Sequence, residues 1–132
     1  MLPKVHRVRT ARDFSTTVRS GARSGRRNVV LYAHRHEGAT RFGFIVSKAV
    51  GNAVTRNLVK RRLRAIAAEL LHEYPDGYDV VVRALPAAAD AGWAELRDGV
   101  RAALRSGVKS AAQRASHTGA GGRARHERAA DE

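Results

Sequence analysis

Three consecutive valines, Val80, Val81 and Val82, constrain the fold of this chain most. Successive side chains of a strand point to opposite faces, so an unbroken β-branched run is favourable only where both faces are covered. Segment 78–84 therefore reads as a central strand with layers on both sides, ended by Pro86. Two further segments alternate with period two. Over 27–35, Val29, Leu31 and Ala33 share one face while Val30, Tyr32 and His34 share the other. Over 40–48, Phe42, Phe44 and Val46 oppose Gly43, Ile45 and Ser47. Glu37, Gly38 and Ala39 between them read as a turn, so these two strands are expected to form an antiparallel hairpin.

Helical signals flank the strands. Thr10 is placed to cap a short helix over 11–20, with Asp13 near its positive end and Phe14 and Val18 on one face. Asn52 is placed to cap a long helix reaching about residue 73, where Tyr74, Pro75, Asp76 and Gly77 stop it. Val59, Leu63, Ile66 and Leu70 form its buried stripe, and Asn57, Lys60, Arg61 and Arg64 project elsewhere. Arg56 falls at the edge of the buried arc, where a structural cap or ion pair is the plain explanation. A last helix over 91–106 aligns Trp93, Leu96, Val100 and Leu104, with Gly107 as a stop or a weak point. The order predicts an α+β fold, helices on a small mixed sheet, in one domain over 1–111. Residues 112–132, rich in Ala, Gly, Ser and Arg without apolar period, read as a disordered basic tail.

Charge narrows the function. The net charge is +13, and all of the excess lies in residues 1–64, where sixteen Lys or Arg face only Asp13 and Glu37. Such a concentration calls for a polyanion, and nucleic acid is the commonest one. With no cysteine, disulfides, thiolate metal sites and a cysteine nucleophile are excluded. No apolar run reaches membrane-span length, and the basic start is not followed by a signal-peptide core, so a cytoplasmic protein is expected.

Segment 47–64 joins a strand end, a glycine turn and a helix start, and carries six basic residues: Lys48, Arg56, Lys60, Arg61, Arg62 and Arg64. Free amides at the helix start suit one phosphate, and the side chains beyond it can follow a backbone. Arg61 has no acid four residues away on either side, unlike a solvated helix face with interleaved charges.

The ordered run Ser47-Lys48-Ala49-Val50-Gly51-Asn52-Ala53-Val54, then Arg56-Asn57 and Val59-Lys60-Arg61-Arg62-Leu63-Arg64, resembles the signature of the bacterial ribonuclease P protein subunit family. The resemblance extends from about residue 8 to 104 through Asp13-Phe14, Val30-Leu31-Tyr32, Gly43 and the strand from Tyr78. It implies a left-handed βαβ crossover made by the long helix. It also implies a non-catalytic subunit of an RNA-protein endoribonuclease, helping a catalytic RNA remove the 5′ leader of precursor tRNA. Magnesium ions would serve the RNA, with none bound by protein side chains alone, and neither a protein partner nor a membrane is required. The resemblance assigns Lys48, Asn52, Arg56, Asn57, Lys60, Arg61, Arg62 and Arg64 to the RNA subunit. A cleft between the first helix and the sheet, lined by Arg12, Phe14, Val18, Val30, Tyr32, His34, Ile45 and Ser47, would take the single-stranded leader. Two positions depart from the family pattern: Leu58 stands where a second arginine usually follows Arg56-Asn57, and Val18 where an aromatic often stands.

Rival readings are weaker on chemistry. A protein-only nuclease needs clustered carboxylates beside a metal, and the acids near the basic face are isolated. His34 and His36 share a strand face, but two ligands lack a third. No nucleophile motif surrounds any serine, and no helix-turn-helix precedes the basic helix. The alternative from another class is a structural RNA-binding protein, such as a ribosomal protein.

Overall fold

The computed structural model describes residues 2–120. Its elements are α1 (Ala11–Ser20), β1 (Ala22–Gly25), β2 (Val29–Ala39), β3 (Arg41–Ile45), α2 (Ala53–Leu70), β4 (Asp76–Ala84) and α3 (Trp93–Ala120), with 3-10 turns at Lys4–His6 and Pro86–Ala89. The expected α+β class and the central position of the valine strand are both present. The four strands lie in the order β1-β2-β4-β3, and Val80, Val81 and Val82 are fully buried.

The expected hairpin between β2 and β3 does not form. β4 lies between them, antiparallel to β2 (Leu31↔Val82, Tyr32↔Val81) and parallel to β3 (Phe42↔Val80, Gly43↔Val81). A strand apolar on both faces is best satisfied with a ladder on each edge as well, and the insertion supplies both. The chain passes from β2 to β3 through the buried Thr40, whose amide donates to the Pro75 carbonyl at 3.0 Å just ahead of β4. β3, α2 and β4 thus make a βαβ unit.

Two other boundaries moved. Residues 22–25 add a strand, β1, paired antiparallel with β2. Its Ala-Arg-Ser-Gly sequence carries no β-branched residue, so its place follows from tertiary pairing. α3 runs through Gly107 to Ala120, so the expected start of a disordered tail at 112 falls within the helix, while 121–132 lie outside the described residues. Gly107 neither stops nor breaks α3. A Cβ there would come within 3.1 Å of Leu31 Cδ2, so the glycine lets the helix sit close against β2.

The layers follow from burial. On one side of the sheet Val29, Leu31, Phe42, Val80 and Val82 join the α2 stripe (Val59, Leu63, Ile66, Leu70) and Leu96, Val100 and Leu104 of α3 in a single core. Fully burying each such side chain contributes roughly 1.5–3 kcal/mol. On the other side α1 crosses the sheet. The outer face of α2 and the α1 side of the sheet therefore look in opposite directions.

Candidate nucleic-acid interface

α2 begins as expected: the Asn52 Oδ1 accepts from the Thr55 amide at 2.9 Å, an N-cap of about 1 kcal/mol. Its approach is a tight turn in which the Val50 amide donates to the Ser47 carbonyl and the Gly51 amide to the Lys48 carbonyl. Lys48 and Asn57 are exposed, as is Arg61, while Lys60 and Arg64 are half-buried. Among the described residues, Lys48, Lys60, Arg61 and Arg64 have no side-chain hydrogen-bond or ion-pair partner, and no acid accompanies them on the outer face.

The other two arginines are committed to the protein. Arg56 Nε donates to the Gly51 carbonyl at 3.2 Å, holding the turn ahead of the helix. Arg62 Nη1 donates to the Ala91 carbonyl at 3.0 Å, tying α2 to the approach to α3. Both partners are backbone carbonyls, which leave no mark in a sequence. Asn52 is likewise occupied as the cap.

The cleft side of the sheet can be read off the register. Arg41, Asp79 and His34 occupy one cross-strand row; Gly43, Val81, Tyr32 and Arg23 the next; Ile45, Arg83, Val30 and Gly25 the third. α1 lies over the first through Asp13 and over the Gly43 end of the second through Phe14. A Cβ on Gly43 would come within 2.6 Å of the Phe14 ring, so the glycine makes room for the aromatic on β3. At the covered end Arg41 holds Asp79 through Nε–Oδ1 at 2.8 Å and Nη2–Oδ2 at 2.7 Å, and reaches Asp13 Oδ2 at 3.4 Å. His36 Nδ1 stands 3.9 Å from Asp79 Oδ1. The Asp79 hydrogen bonds raise the pKa of Arg41 above its ordinary value, with both carboxylates adding attraction.

Phe14, Val18, Tyr32 and Ile45 are half-buried and Ser47 is exposed, a partly open apolar surface. Val30 is buried and forms floor beneath it. His34 stands in the row of Asp79, at the covered end. Arg12, two residues before Phe14, points about 160° away from it around α1, on the helix's outer side. Among the described residues no group of three or more His, Cys, Asp or Glu is placed to hold a metal ion, and no helix is long and apolar enough to cross a membrane.

The model of the family Ribonuclease P matches residues 2–107. The chain belongs to this family. A relative named Ribonuclease P protein component, from Kocuria rhizophila, is 60% identical over 113 residues, covering 85% of this chain and 100% of its own. Another of that name, from Pseudarthrobacter chlorophenolicus, is 55% identical over 126 residues, covering 94% of this chain and 93% of its own. Among solved structures, the Staphylococcus aureus RNase P protein superposes with a TM-score of 0.69 at 27% identity, covering 77% of this chain and 94% of that one. Family membership decides between ribonuclease P and a ribosomal protein, in favour of ribonuclease P, an RNA-protein enzyme of tRNA processing.

Two cations of the cleft side escaped the sequence reading. Arg23 belongs to the strand that the sequence did not mark. Arg83 follows the valine run, whose apparent burial on both faces hid that its last position before Ala84 is exposed. The signal that finds Arg83 is alternation: it shares a face with Val81.

Proposed function

We propose that this chain is the protein component that assists the catalytic RNA of ribonuclease P in endonucleolytic removal of the 5′ leader from precursor tRNA. The observation that carries the reading is the set of uncommitted cations, Lys48, Lys60, Arg61 and Arg64, on the side of the molecule away from α1. The outer face of α2 binds the RNA subunit, with Asn57 among its contacts. Arg56 and Arg62 hold the frame, Asn52 caps it, and any RNA contact they make uses atoms left over from those bonds. The cleft of Phe14, Val18, Tyr32, Ile45 and Ser47 takes the single-stranded leader, by stacking on a partly open apolar surface. The protein works in the cytoplasm without catalytic side chains of its own, and magnesium serves the RNA.

The test is reconstitution. Adding the protein to a bacterial ribonuclease P RNA at low magnesium is expected to raise precursor cleavage, and the protein alone is expected to leave the precursor intact. Cleavage by the protein alone would overturn this division of labour.

A further inference from the structure

The third cross-strand row of the cleft side differs from the other two. In the first, Arg41 is neutralised by Asp79 and Asp13; in the second, Gly43 and Val81 are apolar beneath α1. In the third, the exposed Arg83 stands between Val30 of β2 and Ile45 of β3, and its side chain makes no ion pair or hydrogen bond with the described residues. Four residues back on the same face, Asp79 is already held by Arg41. Across β2 stands a second exposed arginine, Arg23, opposite Tyr32 and likewise without a side-chain partner among the described residues. The row is also unobstructed at Gly25, where an added Cβ would meet nothing within 4 Å.

We propose that Arg83 and Arg23 are phosphate-binding residues for the single strand in the cleft, one on each side of β2, and that they lead the strand obliquely over Tyr32. This rests on the reading of the cleft as the leader site. Two strand spacings and a two-residue offset put their Cα atoms about 12 Å apart, so the strand is held at two separate phosphates with a stacking surface between them. Long flexible guanidinium side chains suit this task, because they follow a backbone without reading its bases. A merely solvated arginine pair would predict no dependence on the leader.

Precursor and leaderless mature tRNA are titrated against the holoenzyme assembled with Arg83→Gln, Arg23→Gln or Phe14→Ala protein. Each arginine variant is expected to weaken precursor binding roughly threefold to tenfold and to lower the salt slope by about 0.7, leaving mature tRNA binding unchanged. Arg83→Lys is expected to restore most of the loss, since a phosphate accepts either cation. If Phe14→Ala discriminates precursor from mature tRNA and the arginine variants do not, the proposal fails while the cleft reading stands. If none of the three discriminates, the cleft reading itself fails and takes the proposal with it. Equal losses on both RNAs also overturn it.

Discussion

At the covered end of the cleft Arg41 is met by two carboxylates, whereas on the outer face of α2 Lys60, Arg61 and Arg64 are met by none. The difference does not come from a lack of acids nearby. Glu69 on α2 pairs with Arg97 at 3.9 Å, and Glu73 just beyond the helix pairs with Arg101 at 2.7 Å, both toward α3. Acids are placed where a cation has to hold structure and are absent where a cation has to remain available. A surface ion pair contributes little to stability, about 0–1 kcal/mol, so leaving the α2 cations unpaired costs the fold little and leaves them free for phosphate.

Removing an acid from the paired end should have the largest effect. Asp79→Ala leaves the half-buried Arg41 without its bidentate partner, with only Asp13 nearby, and chemical denaturation is expected to show a loss of about 2 kcal/mol, the value of hydrogen bonds to a charged group. RNA-subunit binding by the folded fraction should be unchanged, and a parallel loss of RNA affinity would erase the distinction between the two regions. Phe14→Ala removes a ring that packs on Gly43. Competition binding should show precursor losing its advantage over leaderless tRNA by about 1–3 kcal/mol, the value of stacking on one base.

On the unpaired side, Arg61→Ala with Arg64→Ala should lower the salt slope of RNA-subunit binding by roughly 1.8 for duplex phosphates, with stability within about 0.5 kcal/mol of the parent. Arg62→Ala sharpens the contrast within one helix turn. It loses the bond to the Ala91 carbonyl and should cost about 1 kcal/mol of stability while barely moving the slope. The smallest effect concerns alkali. Because Asp79 raises Arg41's pKa in the folded state, the pair's stabilisation is fully present below the unfolded arginine pKa and is lost only as pH rises through the folded one. Melting temperature should therefore show no loss from this pair between about pH 7 and 9.

Local periodicity made most elements legible in the sequence: Thr10 and Asn52 cap as expected, and the α2 stripe is buried residue for residue. Pairing was not legible. The short connection after β2 resembles a hairpin turn, and nothing local says that a strand some thirty residues later enters between its arms. For the site, residue type located the cations but not their commitments, because Arg56 and Arg62 bind main-chain oxygens. Leu58 is half-buried on α2, and its departure from the basic pattern has no explanation in the structure.

Only seven positions separate Ile45, at the cleft, from Asn52, at the start of α2. Val46 and Val50 are buried in the core on either side of the exposed Ser47, Lys48 and Ala49, and two backbone hydrogen bonds close the turn. The connection is a pinned bracket with little freedom to flex. On the proposed assignment of the two surfaces, a strand in the cleft and an RNA on α2 would be held at one fixed offset, and the connection would act as a ruler between two nucleic acids that need not touch each other there.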